Sequence, residues 1–517
     1  MTTDKVLILD FGSQLTQLIA KRIRGAGVYS QIMPCSSTEE EIRNFKPKAI
    51  ILSGSPSSVY EEGAPSIPDI VFSLNIPVLG ICYGQQAMCN AFGGEIRAGT
   101  KKEFGKTSIK IIKNSPIFED IWSIGNSYDV WMSHGDCITN LPHCFEVLAV
   151  SDNSPFAIIA DKKRKLYGVQ FHPEVVHTPQ GDLFISNFVT KVAQCRPEWK
   201  MNTFMEEEIS YIQKKVGNEK VICAISGGVD SSVVAALMSR AIGKNLYCIF
   251  VDNGLLRKNE AVEVENTLSS NFDFKLIHVN ASKIFLDALK GVVDPEEKRK
   301  IIGKVFIETF NSEIKKIGDV KYLAQGTIYP DIIESVSISG GKAVTIKSHH
   351  NVGGLPENMH GLTLIEPLKF LFKDEVRILA KELGIPNSIY ERHPFPGPGL
   401  AIRIIGDVNE EKCNLLREAD FIFIEELKNS GLYNDVWQAY AALLPVKSVG
   451  VMGDARTYQS TCVLRAVTSS DGMSADYAQL PHEFLGRVAR RIVNEVNGIN
   501  RVFYDITSKP PATIELE

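Results

Sequence analysis

Residues 80–86, GICYGQQ, join a short apolar run at 78–81 to a helix-like segment at 85–92. A sharp strand–turn–helix elbow crowds the side chains around its central residue, so it needs small residues two positions away on either side. Gly80 and Gly84 hold those positions around Cys82. At the start of a helix, the helix dipole and free N–H groups favour a thiolate and can form an oxyanion hole. The stretch therefore predicts that Cys82 is a nucleophile raised above the end of a β-strand.

The chain around this elbow alternates short apolar runs with helix-like segments. The predicted strands lie at residues 5–10, 49–53, 78–81, 146–150 and 166–171, and the predicted helices at residues 14–25 and 85–92. Such alternation is typical of an α/β sheet covered on both faces. The pattern is interrupted at residues 195–198, CRPE, so the first domain is predicted to span residues 1–198.

A second α/β pattern follows, and the predicted domain spans residues 199–392. After a helix at 202–215, strands are predicted at 221–225, 246–251, 275–279 and 322–325, with helices at 231–242 and 259–269. Short apolar strands linked by helices indicate a parallel, doubly wound sheet. The proline-rich run HPFPGPG at 393–399 forces extended or turn geometry. We therefore expect two doubly wound α/β domains, followed at 393–517 by a small α+β domain with strands at 448–452 and 501–506.

Composition excludes several classes of protein. The length of 517 residues suggests roughly three domains, and a net charge of −5 leaves no basic surplus for nucleic acid. The ten cysteines contain no Cys-x-x-Cys pair, which disfavours a zinc site or a disulfide framework. No apolar stretch approaches the ~20 residues that span a bilayer, and no signal peptide is evident. We expect a cytoplasmic protein with no membrane partner.

A base for Cys82 is predicted in His172-Pro173-Glu174, directly after the strand at 166–171. Pro173 keeps the segment extended, so His172 and Glu174 can project on the same side. A thiol nucleophile needs a base and a group that orients the base. His-Pro-Glu alone is more often a surface turn, but together with the elbow it predicts that His172 moves protons for Cys82 and that Glu174 holds the imidazole.

The order Cys82, His172, Glu174 resembles that of the class I, triad-type glutamine amidotransferases over about residues 5–195. The resemblance implies that residues 53–59, SGSPSSV, supply an oxyanion-hole N–H from Gly54, together with the N–H of Tyr83. It also implies that Gln86 contacts the glutamine substrate. The family usually has a second glycine where this chain has Ser55, a change that removes no catalytic group.

A phosphate site is predicted at residues 226–232, SGGVDSS, between a strand and a helix. Glycines let the backbone approach phosphate, while hydroxyls and helix N-terminal N–H groups coordinate it. Asp230 can hold Mg²⁺ against the same phosphates. The loop resembles that of the N-type ATP pyrophosphatases, which cleave ATP between its α and β phosphates. The ATP-binding residues are then Ser226, Gly227, Gly228, Val229, Asp230, Ser231 and Ser232.

Two further strand ends fall at the crevice where a parallel sheet binds nucleotide. They are residues 251–254, VDNG, which include Val251, and residues 326–335, which begin at Gly326. In the second, Asp331 or Glu334 could add a metal ligand, or either could be a surface carboxylate. The irregular residues 335–361 are predicted to close over ATP, with no role assigned to His349 or His350.

The whole chain resembles the glutamine-hydrolysing GMP synthetases. The matching strings are KSHHNVGGLP at 347–356, HPFPGPG at 393–399, GDARTY at 453–458 and SKPPATIE at 508–515. The resemblance implies that xanthosine 5′-monophosphate (XMP) is bound by Arg257, Pro396, Gly397, Lys509 and Glu515, and that the third domain forms a homodimer. The family ending has Trp where this chain has Leu516. Two alternatives stay open: an enzyme of the same architecture with another acceptor, and a nucleotide sensor without turnover.

Overall fold

The computed structural model describes residues 3–335, 361–452, 454–469 and 474–517. The described residues divide into two compact units. The first contains residues up to 204 together with 330–335, and the second contains 205–329 and 361–517. The domain boundaries predicted at 198 and 392 stay predictions.

The first unit is built on a nine-stranded sheet with the order β2-β1-β3-β4-β9-β8-β7-β5-β6. Its elements are β1 Lys5–Asp10, α1 Thr16–Gly25, β2 Tyr29–Pro34, α2 Glu39–Phe45, β3 Ala49–Leu52, α3 Ile70–Ser73, β4 Val78–Ile81, α4 Tyr83–Ala91, β5 Glu95–Ile111, β6 Ser127–Asn140, β7 Glu146–Ser151, β8 Ile158–Asp161, β9 Leu166–Val169 and α5 Gly181–Asn187. The next helix, α6, spans Met201–Val216 and crosses the division between the units.

The parallel half of this sheet follows from its sequence. Strands β3, β4 and β9 are buried at every position, as expected of strands covered on both faces. The predicted ends of β1 and β4 are confirmed, whereas β9 ends at Val169, two residues before the predicted end. The long antiparallel pair β5 and β6 was not predicted. It extends the α/β sheet beyond its parallel half.

The second unit contains a parallel sheet, β12-β11-β10-β13-β14, and a C-terminal sheet of β15, β16, β17 and β18. Its elements are β10 Lys220–Ile225, α7 Val229–Ile242, β11 Leu246–Asp252, α8 Glu260–Asn271, β12 Lys275–Asn280, α9 Ser282–Ala288, α10 Pro295–Ile317, β13 Val320–Ala324, α11 Tyr329–Ser335, β14 Thr363–Ile365, α12 Lys373–Glu382, α13 Asn387–Tyr390, α14 Glu410–Asn429, β15 Gln438–Met452, β16 Ala455–Thr468, β17 Asp476–Tyr477, α15 His482–Glu495 and β18 Ile499–Tyr504. Of helix α11, Tyr329 belongs to the second unit and the residues that follow it belong to the first.

One hydrophobic core serves both sheets of the second unit. Ile222 and Ile249 from the parallel sheet belong to the same buried cluster as Leu443 and Leu464 from the C-terminal sheet. The predicted fold class, two α/β sheets followed by an α+β part, is confirmed. Within the described ranges, no helix is long and apolar enough to cross a membrane.

Candidate active sites

The predicted elbow is present between β4 and α4. Cys82 has φ +53° and ψ −105°, a backbone conformation that costs energy for a non-glycine residue and is often found at functional sites. A Cβ on Gly80 would lie 2.5 Å from the backbone carbon of Gly84, and a Cβ on Gly84 would collide with the carbonyl oxygen of Leu52. Both glycines are therefore required by the close packing of the turn.

His172 and Glu174 form the predicted pair. Nδ1 of His172 lies 2.8 Å from Oε1 of Glu174, and the two residues are 5% and 0% exposed. Burial would lower the pKa of His172, but hydrogen bonds to Cys82 and Glu174, together with their charges, raise it to about 10. Its two neighbours therefore stabilise the protonated form of the imidazole.

Backbone contacts fix the position of the imidazole. The N–H of His172 donates to the carbonyl oxygen of Trp131 at 2.9 Å. The hydroxyl of Thr178 donates to the carbonyl oxygen of His172 at 2.7 Å and accepts the N–H of Trp131 at 3.0 Å. His172 is therefore held to strand β6 and to the segment that precedes α5.

The segment predicted to complete the oxyanion hole lies beside His172. A Cβ on Gly54 would lie 3.4 Å from Cε1 of His172. The hydroxyl of Ser53 donates to the carbonyl oxygen of Gly54 at 2.9 Å and accepts the N–H of Phe11 at 3.0 Å. Ser55 accepts the N–H of Ser57 at 3.2 Å, so its hydroxyl is used within its own loop. Tyr83 supplies the first N–H of α4.

Two amide side chains lie close to Cys82. Nε2 of Gln170 lies 3.7 Å from Sγ of Cys82. Gln86 is buried and donates from Nε2 to Oε1 of Gln170 at 3.2 Å and to the carbonyl oxygen of Asp136 at 3.1 Å. The thiol also lies 3.7 Å from the carbonyl oxygen of Ser133. Gln86 is therefore linked to Cys82 through Gln170.

The phosphate loop is ordered by its own hydroxyls. Gly227 has φ +79°, and Gly228 is the N-cap of α7. Gly228 donates its N–H to Oγ of Ser226 at 3.3 Å, while Ser231 and Ser232 donate to the carbonyl oxygen of Gly228 at 3.1 and 2.9 Å. The loop is thus preshaped at a helix N-terminus, where backbone N–H groups favour an anion.

Asp230, within this loop, is bonded through its side chain to Lys373. Its Oδ2 accepts from Nζ of Lys373, the first residue of α12, at 2.6 Å, whereas its Oδ1 is buried without a hydrogen bond. A Cβ on Gly326 would lie 3.4 Å from Asp230, which places the end of β13 next to the loop. Val251 is buried near the end of β11.

The metal ligands predicted from the sequence are Asp230 and Asp331. No group of three or more His, Cys, Asp or Glu is arranged to hold a metal ion in the described part of the chain. Asp331 lies in the first turn of α11, and its role stays a prediction. His349, His350 and the string at 347–356 lie outside the described residues, as do residues 336–360 of the predicted lid.

The residues predicted to meet XMP are distributed around β15 and the C-terminal segment. Nε of Arg257 lies 3.2 Å from Oδ2 of Asp420, and Pro396 accepts the N–H of Gly399 at 2.9 Å. A Cβ on Gly397 would meet nothing within 4 Å. Lys509 pairs with Ala475 through its backbone N–H and C=O.

The carboxylate of Glu515 is held by two side chains. Its carboxylate accepts from Nε and Nη2 of Arg403 at 3.1 and 2.9 Å, and from Nε2 of Gln438 at 2.7 Å. Lys298, which is fully buried, contacts the carboxylate of Glu517 at 2.5 Å. The C-terminal segment is therefore anchored by buried cations.

Known families and relatives match this chain along nearly its whole length. Residues 7–192 match the family of class-I glutamine amidotransferases, residues 200–302 match NAD synthase, and residues 425–516 match the GMP synthase C terminal domain. The GMP synthase [glutamine-hydrolyzing] of Rhizobium etli (strain CIAT 652) is 57% identical over 514 residues, which cover 99% of both chains. That of Bartonella henselae is 58% identical over 515 residues, which cover 100% of this chain and 99% of the relative.

The chain belongs to the glutamine-hydrolysing GMP synthase family. The sequence of this GMP synthase family member predicted that the elbow and the His-Pro-Glu motif form one site. It did not predict the contacts of Gln170, Lys373 and Arg403. Gln170 had a usable signal, because it lies two positions before His172 in an extended segment and can therefore share its face. Lys373 and Arg403 had none, since each meets its partner only through the tertiary fold.

Proposed function

We propose that Cys82, His172 and Glu174 release ammonia from glutamine, and that residues 226–232 bind the ATP that activates XMP to receive it. As a member of the glutamine-hydrolysing GMP synthase family, the chain makes GMP by a reaction that uses ATP and glutamine. The observation that carries the residue assignment is the 2.8 Å contact of His172 with Glu174 behind a nucleophile elbow at Cys82.

The glutaminase half needs a nucleophile, a proton carrier and an oxyanion site. The thiolate of Cys82 attacks the amide carbon of glutamine, and the N–H groups of Tyr83 and Gly54 stabilise the resulting oxyanion. His172 gives its proton to the amide nitrogen as the C–N bond breaks, so that ammonia leaves and the acyl group remains on Cys82 as a thioester. His172 then takes a proton from water, which attacks the thioester and releases glutamate and the Cys82 thiolate.

The ligase half transfers an adenylyl group and then exchanges it for nitrogen. The 2-oxo oxygen of the xanthine ring attacks the α-phosphorus of ATP, and pyrophosphate leaves. Ammonia then adds to C2 of the purine, and AMP leaves, which gives GMP. Residues 226–232 hold the departing phosphates through backbone N–H groups and hydroxyls. Lys373 is placed to add a positive charge beside them.

The residues present fit Mg²⁺ bound together with ATP. Asp230 presents a buried oxygen, Oδ1, that has no hydrogen-bond partner, and Mg²⁺ is often held by one or two carboxylates together with phosphate oxygens and waters. Asp230 would hold the ion, and Asp331 is kept as a separate metal-ligand proposal. When bound, Mg²⁺ neutralises charge on the phosphate oxygens.

The XMP contacts assigned to Arg257, Pro396, Gly397, Lys509 and Glu515 are proposals that suit the ligand's chemistry. Arginine and lysine side chains match a phosphate, and a carboxylate accepts from a purine N–H. The pair formed by Arg257 and Asp420 also shows that the guanidinium is held in place before any ligand is considered.

A homodimer is supported by an apolar face on the C-terminal sheet. Val449 and Tyr458 are paired across β15 and β16 and are 58% and 66% exposed, and Val451 is 73% exposed. Contiguous apolar surface of this kind marks protein–protein contacts.

All ten cysteines are free, which suits the reducing cytoplasm that we propose as the location of the protein.

A product assay tests the proposed function. Purified chain is supplied with glutamine, XMP and ATP–Mg²⁺, and we expect glutamate, AMP, pyrophosphate and GMP in equal amounts. The control replaces XMP by inosine 5′-monophosphate, which lacks the 2-oxo group and should yield no AMP. Glutamate without AMP or GMP would overturn the XMP assignment while leaving the glutaminase site intact.

A further inference from the structure

Arg403 is a fully buried cation between two aromatic rings. Its Cζ lies 4.2 Å from the ring centre of Tyr440 and 4.9 Å from that of Phe395, and the residue is 0% exposed. A buried charge is tolerated only when it is paired and hydrogen-bonded. The planar guanidinium is also suited to stacking on aromatic faces. The two rings therefore limit the space in which the guanidinium can move.

The partner of Arg403 is the carboxylate of Glu515. Two parallel hydrogen bonds, of 3.1 and 2.9 Å, join Nε and Nη2 to the two carboxylate oxygens. Such a bidentate fork fixes the plane of the carboxylate as well as its position. Burial opposes the charge of Arg403, but the carboxylate of Glu515 raises its pKa above the usual range. The carboxylate of Glu515 therefore stabilises the charged form of Arg403.

The same stack reaches another residue of the proposed XMP site. Cζ of Arg257 also lies 4.9 Å from the ring centre of Phe395, so Phe395 is shared between Arg257 and Arg403. The remaining terminal nitrogen of Arg403, Nη1, is buried and has no hydrogen-bond partner. A buried donor in this state is costly, so the buried guanidinium depends on its two bonds to Glu515.

We propose that Arg403 is a positioning residue of the XMP site, which orients the carboxylate of Glu515 for a purine N–H and acts only through it. The inference rests on the proposed contact of Glu515 with XMP. A mobile glutamate would lose rotamer freedom each time it met the purine, whereas a carboxylate already clamped does not. Arg403 therefore sets the affinity for XMP and has no direct part in the chemistry of ATP.

A purely structural role is the competing explanation, and Arg465 provides the matched control. Arg465 is 1% exposed and also anchors the C-terminal segment. It donates to the carbonyl oxygens of Ile514 and Thr513, at 2.8 Å each, and also to the carbonyl oxygen of Thr507 and the carboxylate of Asp505. Replacing either arginine by lysine should disturb the anchoring of the segment, but only the Arg403 variant loses the fork that sets the plane of the Glu515 carboxylate, leaving it the single bond from Gln438.

The experiment measures KM for XMP and for ATP in the full-length chain, with ammonium as nitrogen donor so that glutamine hydrolysis plays no part. Arg403→Lys keeps the charge but loses the fork, and we expect KM for XMP to rise about tenfold or more, with KM for ATP changed less than about twofold. Arg465→Lys should change KM for XMP less than about threefold. Equal effects of the two variants would overturn the proposal.

A double-mutant cycle then separates the inference from the function on which it rests. Glu515→Gln should raise KM for XMP, and adding Arg403→Lys should raise it less than about twofold further. If Glu515→Gln leaves KM for XMP unchanged, the proposed contact of Glu515 with XMP is wrong, and the inference falls with it. A strong effect of Glu515→Gln with none of Arg403→Lys, or multiplied effects in the double variant, would overturn the inference alone.

A second pair of variants covers the case in which Arg403→Lys does not fold. Tyr440→Leu removes one stacking face, and Tyr440→Phe removes only the hydroxyl, which donates to the carbonyl oxygen of Ile514 at 2.8 Å. KM for XMP should rise in the leucine variant and stay close to that of the parent in the phenylalanine variant. An equal response in both would mean that anchoring of the segment, and not orientation of Arg403, is what matters.

Discussion

Nζ of Lys373 lies 2.6 Å from Oδ2 of Asp230 and joins the start of α12 to the phosphate loop. The two side chains are 42% and 30% exposed, so solvent screens the pair and it adds little to stability. Its significance is local. It places a cation next to the loop, and that cation can turn to a phosphate when Asp230 takes another partner.

Replacing Lys373 should therefore impair the ATP reaction. We expect Lys373→Met to lower pyrophosphate release with XMP and ammonium by tenfold or more, because a charge-assisted contact to the phosphates is lost. Lys381→Met, near the other end of α12, is the control and should stay within about twofold. Equal losses in both variants would count against a phosphate-binding role for Lys373.

Cys82→Ala should abolish GMP synthesis from glutamine and leave synthesis from added ammonium within about twofold, because only the thiolate step is removed. The exposed Cys144 provides a matched substitution, Cys144→Ala, which should leave both activities intact. The assay follows GMP formation with each nitrogen donor. Loss of both activities in Cys82→Ala would show that the two sites are not separable.

Gly84→Ala should destabilise the elbow, since its Cβ would meet the carbonyl oxygen of Leu52. Overpacking against rigid backbone costs ~2 kcal/mol or more. Gly25→Ala is the control, because a Cβ there meets nothing within 4 Å. Thermal denaturation and glutaminase activity measure the effect, and a Gly84→Ala variant with parental melting and activity would contradict the tight elbow.

The raised pKa of His172 predicts a pH dependence of definite sign. Its folded pKa of about 10 lies above the ordinary value of 6.5, so the protonated form is stabilised by folding. This contribution is fully present below about pH 6.5 and is lost as the pH rises through 10. Histidine labelled with ¹³C allows the titration to be followed by NMR.

Glu174→Gln provides the comparison for that titration. The variant removes the negative charge at 2.8 Å and keeps a hydrogen-bond acceptor, so the pKa of His172 should fall. Melting temperature should then begin to decline with rising pH earlier than in the parent chain. An unchanged titration of His172 would mean that Glu174 does not hold its proton.

The proposed dimer should depend on the apolar face of the C-terminal sheet. We expect Val449→Lys combined with Tyr458→Lys to give monomers in sedimentation velocity, because facing lysines would repel across the interface. Ile124→Lys, at a position 59% exposed in the first unit, should leave the parental state unchanged. A parental dimer unaffected by the paired change would place its interface elsewhere.

The sequence by itself determined the features that depend on neighbouring residues. The ends of β1 and β4 and the elbow at Cys82 follow from apolar runs and from two glycines at fixed spacing. The same holds for the phosphate loop, whose serines and glycines bond within seven consecutive residues. Local sterics and hydrogen bonding are sufficient to specify such features.

The tertiary structure alone decided the contacts between distant residues. Gln170 lies beside Cys82 across 88 positions, Lys373 meets Asp230 across 143, and Arg403 meets Glu515 across 112. These pairs depend on the order and register of strands and on which helix packs over them. The C-terminal segment is anchored because buried cations, which are costly to leave unpaired, bind its carboxylates and carbonyl oxygens.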